Sequence, residues 1–285
     1  MFASHPRSFE SNRYVYPVLS RRAGGISIGL NLNPEKSCTF DCVYCQVNRS
    51  QRGDGTVAAA ELPRLSQELG EMMDMVVSGR IFEADPLRAT PEPLRRLCDV
   101  ALSGDGEPTA SPILGEVVDL CAEARRRRRL DSLKLVLITN ATLLHREGVR
   151  RALEVLDGNN GEVWAKLDAG TESYYRQVAR TRVPFSQVLD NLRDTARGRP
   201  IVIQTLFMRL GEQPTPIAQQ EAYCDRLCEV TAAGGRIKLV QIHTVARRPA
   251  ESWVTPLGDK EVDAAAELVH RRTGLPVAAF YGCPL

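Results

Sequence analysis

The order of apolar and polar positions along the chain predicts strands that alternate with helices. Short, almost continuous apolar runs such as 133–138 and 201–207 are typical of buried parallel strands. Longer segments such as 62–79 and 217–232 carry apolar residues at helical spacing. Because this alternation occurs six times, we expect an α/β fold with a parallel sheet and right-handed crossovers.

The predicted elements cover most of the chain after residue 25. We expect strands at 26–32, 97–102, 133–138, 162–167, 201–207 and 236–244, with a final short strand at 277–280. We expect helices at 62–79, 112–127, 143–156, 171–180, 185–197, 217–232 and 259–272. Gly79 and Gly274 are predicted to end helices, and Asp259 to begin the last one. Residues 1–25 are predicted to form an arm that is irregular or contains a short strand around 14–16, residues 26–245 the core, and residues 246–285 a C-terminal helix and strand packed on it.

Three cysteines lie within residues 38–45, directly after the first predicted strand and the turn signal Asn33-Pro34. The spacing of Cys38, Cys42 and Cys45 is C-x3-C-x2-C, and no fourth cysteine lies nearby. A structural zinc site is normally closed by four ligands. A four-iron cluster held by only three local thiolates keeps one iron open to another ligand. The spacing favours such a cluster over a zinc site or a chance grouping.

With the aromatic Tyr44 before the last cysteine, this segment resembles the signature loop of the radical SAM superfamily. The resemblance implies a six-strand partial (β/α)6 barrel, similar to part of a TIM barrel, with parallel strands. It also implies a [4Fe-4S] cluster on the three cysteines, with S-adenosylmethionine bound at the open iron. One electron, from a reductant such as flavodoxin or ferredoxin, would then cleave this cofactor to methionine and a 5′-deoxyadenosyl radical.

Two polar loops after later predicted strands resemble cofactor-binding elements of that superfamily. The first loop, at residues 103–109, resembles the superfamily's glycine-glycine-glutamate element, which receives the methionine amino group. An ordinary turn between a strand and a helix is the alternative. The second loop, at residues 138–142, resembles a Thr-Asn-Gly element of the superfamily, with Ala141 in place of glycine. Capping of the following helix is the alternative. The candidate cofactor contacts in these loops are Gly104, Asp105, Gly106, Glu107, Thr109, Thr139 and Asn140.

Further candidates follow the fourth strand and line the fifth and sixth. Lys166 and Asp168 share one strand face by alternation, and Lys166 could pair with the methionine carboxylate. A structural or solvated ion pair is the alternative. Gln204 on the fifth strand, and Gln241 with His243 on the sixth, are candidate substrate contacts, although a strand histidine is more often structural.

Composition restricts the remaining possibilities. With 43% hydrophobic and 25% charged residues the chain is typical of globular soluble proteins, and its net charge is only +2. No stretch approaches the roughly 20 apolar residues of a membrane span, and no secretion signal is evident, so we expect a cytoplasmic protein. The run 125–129 is predicted to be a solvated surface. Cys224, Cys228 and Cys283 could hold a second cluster, but packing is the favoured interpretation of Cys224 and Cys228.

Three segments, at 31–34, 103–109 and 166–170, are most similar to motifs of the wyosine-forming tRNA enzymes and their bacterial relatives. Those enzymes carry a second cluster on cysteines ahead of the signature loop, whereas this chain has no cysteine before Cys38. The substrate is therefore left open between a modified nucleobase, a nucleoside or tRNA, and a small metabolite. An activase-like modifier of a glycyl-radical enzyme and a non-catalytic iron–sulfur or zinc module are the alternatives.

Overall fold

The computed structural model of the protein describes residues 9–47, 53 and 55–282. The described residues contain seven α-helices and eleven strands. They fall into two compact units, one within residues 1–38, 52–138 and 146–162, and one within residues 39–51, 139–145 and 163–285. No helix in the described part of the chain is long and apolar enough to cross a lipid bilayer.

The first unit contains a run of strands separated by helices. Its elements in chain order are β1 (Val15–Ser20), β2 (Gly25–Leu30), α1 (Leu62–Val77), β3 (Leu97–Leu102), α2 (Leu114–Arg127), β4 (Lys134–Thr139) and α3 (Glu147–Asp157), with Thr139 itself counted in the second unit. Strand β2 pairs in parallel with β3, and β3 with β4. Every residue of β2 is buried, as its apolar pattern requires.

The second unit repeats this arrangement. Its elements are β5 (Gly161–Lys166, which begins in the first unit), α4 (Glu172–Ala179), α5 (Phe185–Gly198), β6 (Ile201–Leu206), β7 (Arg209–Leu210), β8 (Gln213–Pro214), α6 (Ile217–Ala232), β9 (Ile237–His243), β10 (Val254–Thr255), α7 (Asp259–Thr273) and β11 (Val277–Phe280). Strands β5, β6, β9 and β11 pair in parallel in that order. The short strands β7, β8 and β10 form a separate antiparallel sheet in the order β10-β7-β8.

Strands β1 to β4 and the set β5, β6, β9 and β11 number eight, so the prediction of six was too low. Strand β11 was predicted but not counted in the barrel. Strand β1 was expected only as a short strand or an irregular arm, because Pro17 interrupts its pattern and no alternation marks it. It pairs antiparallel with β2, where an edge position tolerates the proline. The α/β class and the mostly parallel sheet are as predicted.

A buried carboxylate holds strand β1 and the residues before it against helix α1. Glu68 is 5% exposed, and its oxygens accept hydrogen bonds from the backbone N–H groups of Arg13, Tyr14 and Val15 at 2.9, 2.8 and 3.2 Å. Arg64 donates to the same carboxylate at 2.8 Å. The buried charge of Glu68 is therefore balanced by four hydrogen bonds. These bonds hold the start of β1 in place although its sequence pattern is weak.

Helix ends follow local sequence signals with one exception. Gly79 and Gly274 adopt left-handed backbone angles, φ +80° and +68°, just after α1 and α7, as predicted. Asp259 was predicted to cap α7, but the capping residue is Gly258. The backbone N–H of Gly258 donates to the Glu261 carboxylate at 2.8 Å. The side chain of Glu261, three residues into the helix, therefore contributes to the cap, and Asp259 is the first residue of the helix.

The arginine run after α2 is not simply a solvated surface. Arg125 is only 9% exposed and donates to the backbone carbonyl groups of Leu133 and Asp131. Arg128 pairs with Asp74 of α1 at 2.7 Å. These two side chains therefore fasten the end of α2, and the sequence prediction is wrong for them.

Candidate functional site

The cysteine segment is anchored by backbone hydrogen bonds in its second half. The N–H groups of Asp41 and Val43 donate to the carbonyl oxygens of Ala179 and Val178, each at 2.9 Å. The carbonyl oxygen of Cys45 accepts from the N–H of Ala250 at 3.0 Å. The residues that flank Cys42 are thus held by the end of α4, and Cys45 by the loop that follows β9.

The three cysteines offer thiol groups suited to an iron–sulfur cluster. Among the described residues, Cys38, Cys42 and Cys45 form no disulfide, and all three are partly buried. Within the described residues, no three or more His, Cys, Asp or Glu side chains are grouped closely enough to hold a metal ion. The donor chemistry fits a cluster, because soft thiolates suit iron–sulfur sites. Joint ligation by these three residues stays a prediction from their spacing.

Tyr44, Lys166 and Asp168 form one hydrogen-bonded network. The Tyr44 hydroxyl donates to Oδ2 of Asp168 at 2.5 Å, and Nζ of Lys166 lies 3.0 Å from Oδ1 of Asp168. The backbone N–H of Leu206 also donates to Oδ1, at 2.7 Å. The Lys166 ammonium lies 5.1 Å from the centre of the Tyr44 ring, within cation–π range. The predicted alternative for Lys166 and Asp168, a structural ion pair, is therefore present.

This network keeps the Tyr44 phenol neutral. Burial is the main cause that raises its pKa well above the ordinary value, and the charge of Asp168 raises it further. A neutral phenol keeps its proton for the bond to Asp168. The cysteine segment is consequently tied to the end of β5 by a charge-assisted hydrogen bond.

The loop after β3 packs against the chain that leads to the cysteines. A Cβ atom on Gly104 would lie 2.4 Å from Oδ1 of Asn31, and one on Gly106 would lie 1.9 Å from the carbonyl oxygen of Ser37. Asp105 accepts a hydrogen bond from Nδ2 of Asn31 at 2.7 Å. Close approach of this loop to Asn31 and Ser37 explains both glycines, and binding of a cofactor by the loop stays a prediction.

Glu107 is a buried carboxylate in that same loop. Its side chain is 2% exposed, and its backbone N–H donates to the carbonyl oxygen of Ser37 at 3.0 Å. Oε1 accepts from the hydroxyl and the N–H of Thr109, at 2.5 and 3.1 Å. Thr109 is thus a support for Glu107. An ionised carboxylate can accept hydrogen bonds at both oxygens, so Glu107 is chemically suited to contact a cationic group.

The Thr139–Asn140 element holds the start of the cysteine segment. Nδ2 of Asn140 donates to the Thr39 hydroxyl at 2.8 Å, and Oδ1 of Asn140 accepts from the N–H and hydroxyl of Thr142. The Thr139 hydroxyl accepts from the N–H of Ala141 at 3.1 Å. Ala141 has φ +65°, the left-handed angle that glycine adopts without cost in the similar motif. Both side chains thus have structural partners within the second unit.

The three candidate substrate contacts lie on neighbouring strands. Gln204 and Gln241 are opposite each other in the pairing of β6 and β9, are 1% and 2% exposed, and share a hydrogen bond of 2.8 Å. His243 lies opposite Leu206 and is partly buried. The two amides therefore act as one buried polar pair.

A small hollow lies beside the Lys166–Asp168 pair. It encloses about 280 Å³, counting its opening to solvent, and is lined mainly by apolar side chains. Tyr175 is among them, 5% exposed, and no described residue forms a hydrogen bond with its hydroxyl. Its ring stacks on Phe185 at 4.8 Å and meets Phe40 edge-on at 5.6 Å. This hydroxyl could not be singled out from the sequence, because Tyr175 lies on a helix with ordinary amphipathic spacing.

Asn33 is a second residue that sequence analysis missed. It was interpreted as a turn residue and as part of the segment 31–34 that resembles the wyosine-forming enzymes, without a role for its side chain. It is 1% exposed, and both polar atoms of its side chain lack a hydrogen-bond partner among the described residues. The remaining cysteines are different. Cys224 is buried, and burial raises its pKa to about 11, as expected of a packing residue. Cys228 is partly buried, and Cys283 lies outside the described residues.

Comparison with protein families and curated proteins gives distant relatives. No family model matches the chain. A UPF0026 protein of Methanocaldococcus jannaschii is 27% identical over 67% of this chain and 53% of its own length. A UPF0026 protein of Synechocystis is also 27% identical, over 70% of this chain and 67% of its own. The chain thus spans about half to two thirds of these relatives.

A third relative is GTPase Obg of Brachyspira hyodysenteriae, which is 20% identical over 90% of this chain but only 33% of its own length. The phosphate-binding loop of GTPases requires a Gly-Lys pair. No lysine of this sequence follows a glycine. The GTP-binding motif therefore has no counterpart in this chain.

Comparison with solved structures identifies the fold. A radical SAM methyltransferase from Sphaerobacter thermophilus superposes with a TM-score of 0.62 at 11% identity, covering 94% of this chain and 69% of its own. SuiB of Streptococcus suis bound to S-adenosylmethionine gives 0.58 at 14%, covering 90% and 52%. TYW1 with a lysine-pyruvate adduct gives 0.55 at 15%, covering 86% and 73%. The chain has the α/β partial-barrel fold of radical SAM proteins, which confirms the predicted fold class.

Proposed function

We propose that the protein is a radical SAM enzyme that cleaves S-adenosylmethionine reductively and uses the resulting radical to abstract hydrogen from a substrate. One observation carries the proposal: three cysteines with C-x3-C-x2-C spacing and an aromatic residue before the third, in a chain with this fold. Fold alone would leave the activity open, because one fold serves many functions. The three thiolates support the proposal beyond the fold, because they are the ligands that an iron–sulfur cluster requires.

Cys38, Cys42 and Cys45 would hold a [4Fe-4S] cluster, which supplies the electron for carbon–sulfur bond cleavage when it is bound. Thiolate ligation needs the three cysteines reduced, and none of them forms a disulfide with another described residue. The backbone bonds at Asp41, Val43 and Cys45 support the proposal, since they limit the movement of the segment before any cofactor binds.

Glu107 would bind the methionine ammonium group. Its burial supports this role, because a carboxylate at 2% exposure gains from a cationic partner. Thr109 orients the carboxylate through two hydrogen bonds to Oε1. Gly104 and Gly106 would act indirectly by letting this loop approach Asn31 and Ser37 closely.

Lys166 would contribute positive charge for the methionine carboxylate. An ammonium group has three donors, and Asp168 accepts from one of them at 3.0 Å. Asp168 fixes the ammonium position and also binds Tyr44, so it would act as a positioning residue. Thr139 and Asn140, which were candidate cofactor contacts, would act through the support that Asn140 gives Thr39.

The proposed substrate would be bound by the candidate contacts on β6 and β9. A modified nucleobase, a nucleoside or tRNA, or a small metabolite would meet the buried amide pair of Gln204 and Gln241 and the ring of His243. Amides suit the hydrogen-bonding edges of bases and other polar groups. A flavodoxin or ferredoxin would supply the electron. Free thiols and an oxygen-sensitive cluster suit the cytoplasm.

Cluster assembly is the experiment that tests this function. Reconstituted with iron and sulfide without oxygen, the protein should contain about four irons per chain and give an electron paramagnetic resonance signal after reduction that changes when S-adenosylmethionine is added. A Cys42→Ala variant should lose the signal, whereas Cys121→Ala, at a buried cysteine on α2, should keep it. One zinc per chain and no signal would favour a non-catalytic module. A signal that S-adenosylmethionine leaves unchanged would also count against the proposal.

A further inference from the structure

The Asn33 side chain is a buried amide with no hydrogen-bond partner among the described residues. It is 1% exposed, and neither Nδ2 nor Oδ1 forms a hydrogen bond. The backbone of the same residue is fully engaged: its N–H donates to Oδ1 of Asn31 at 3.1 Å, and its carbonyl oxygen accepts from the N–H of Lys36 at 2.8 Å. The turn therefore does not need this side chain for its own hydrogen bonds.

Such an amide is costly where it lies. Each buried polar group without a partner lowers the stability of the fold, and such groups are rare in folded proteins. A leucine of similar size would avoid this cost. An amide kept in this position implies a partner that the chain itself does not provide.

The neighbours of Asn33 show where that partner would bind. A Cβ atom on Gly106 would lie 2.6 Å from Cβ of Asn33, so the amide lies beside the loop that carries Glu107. Ser37, which accepts from the N–H of Glu107 at 3.0 Å, directly precedes Cys38. All of these residues belong to the first unit.

The chemistry of an amide narrows the partner further. Glu107 can only accept hydrogen bonds when it is ionised, whereas Asn33 offers two donors on Nδ2 and an acceptor at Oδ1. An α-amino acid group carries an ammonium donor and a carboxylate acceptor. We infer that Asn33 binds the α-amino acid end of S-adenosylmethionine, its Nδ2 donating to the carboxylate. This inference rests on the proposed function and adds a residue to the cofactor site.

Asn33→Leu and Asn33→Asp test the assignment, with Thr90→Val as the matched control. Thr90 is likewise a buried residue of the first unit whose hydroxyl lacks a partner. The reconstituted proteins are compared by iron content, thermal unfolding without cofactor, and equilibrium dialysis with S-adenosylmethionine. Leucine removes the donor, and aspartate places a negative oxygen against the carboxylate while keeping the shape of the side chain.

We expect the dissociation constant for S-adenosylmethionine to rise at least tenfold in both Asn33 variants and to stay within twofold in Thr90→Val. Iron content should be kept in all three, and the cofactor-free unfolding temperature should not fall in Asn33→Leu or Thr90→Val, because each replaces an unpartnered buried polar group with an apolar one. Unchanged binding in Asn33→Asp or Asn33→Leu would overturn the assignment and leave an ordered water as the partner of the amide. A wild-type protein that holds iron but binds no S-adenosylmethionine would overturn the proposed function and this inference together. The two failures are distinguishable because only the second involves the wild-type protein.

Discussion

The hydroxyl of Tyr44 donates a 2.5 Å hydrogen bond to Asp168, at the end of β5. Tyr44 lies between Cys42 and Cys45, so this bond fixes the second half of the cysteine segment to the sheet. Asp168 is 9% exposed at its side chain and also accepts from Lys166 and from the N–H of Leu206. A single carboxylate thus orients an aromatic ring, an ammonium group and a strand end.

Tyr44→Phe should destabilise the protein by about 1 to 2 kcal/mol, because a partly buried, charge-assisted hydrogen bond is lost. Urea unfolding of the cofactor-free protein measures the effect. Tyr281→Phe is the control, since Tyr281 makes a 2.7 Å bond of the same type to Asp263 on an exposed surface. Equal unfolding midpoints for the two variants would show that the Tyr44–Asp168 hydrogen bond stabilises the protein no more than the exposed Tyr281–Asp263 bond does.

Lys166→Met should cost about 2 to 4 kcal/mol, because it leaves the Asp168 charge poorly compensated in a partly buried site. Adding Asp168→Asn should recover part of the loss, since the double variant removes the charge as well. Arg151→Met breaks an exposed pair with Glu147 and should change little. Strict additivity of the Lys166 and Asp168 effects would contradict the coupling between these residues.

Gly106→Ala should be among the most damaging single changes in the first unit. The added Cβ atom would lie 1.9 Å from a backbone oxygen, so one of two backbones must move, at a cost of about 3 kcal/mol or more. Gly115→Ala, on α2 with open space around it, should instead stabilise by about 0.5 to 1 kcal/mol. Thermal unfolding of both variants checks the contrast, and a mild effect at Gly106 would refute the close packing of the loop.

The pH dependence of stability should show a contribution from Asp99 on β3. Burial at 3% exposure raises its pKa from 3.8 to about 6, although Ser27 donates a hydrogen bond to it. The folded state then holds the proton more tightly than the unfolded chain. Stability is therefore greatest below about pH 4 as far as this group is concerned, and falls as pH rises to about 6, by up to about 3 kcal/mol.

Urea unfolding between pH 4 and pH 7 tests this contribution. Asp99→Asn should flatten the fall and should be more stable than the wild type above pH 6, because no buried charge forms. An identical pH profile for variant and wild type would mean that Asp99 is ionised in the fold at little cost.

The sequence was sufficient to predict the elements with strong apolar patterns. The bounds of β3, α6 and β11 agree with the prediction, because burial of these segments leaves a clear periodic signal. Strands β7, β8 and β10 were missed, since two-residue strands are too short to show any period. Their existence depends on pairing between distant parts of the chain.

The candidate site was predicted as residue types but not as contacts. Alternation correctly suggested that Lys166 and Asp168 lie together, and they form an ion pair. The bond from Tyr44 to Asp168 and the unpartnered amide of Asn33 could not be predicted, because both depend on residues brought together only by folding. Local spacing indicates which groups can bind a cofactor, whereas their hydrogen-bond partners are a property of the fold.

Reductive cleavage of S-adenosylmethionine is the reaction on which the proposed function depends. The reconstituted protein is incubated with dithionite and S-adenosylmethionine without oxygen, and 5′-deoxyadenosine and methionine are quantified. We predict that both products form in equal amounts, and that Cys38→Ala, Cys42→Ala and Cys45→Ala each abolish them while Cys121→Ala does not. Absence of 5′-deoxyadenosine from a protein that carries a full cluster would contradict the account.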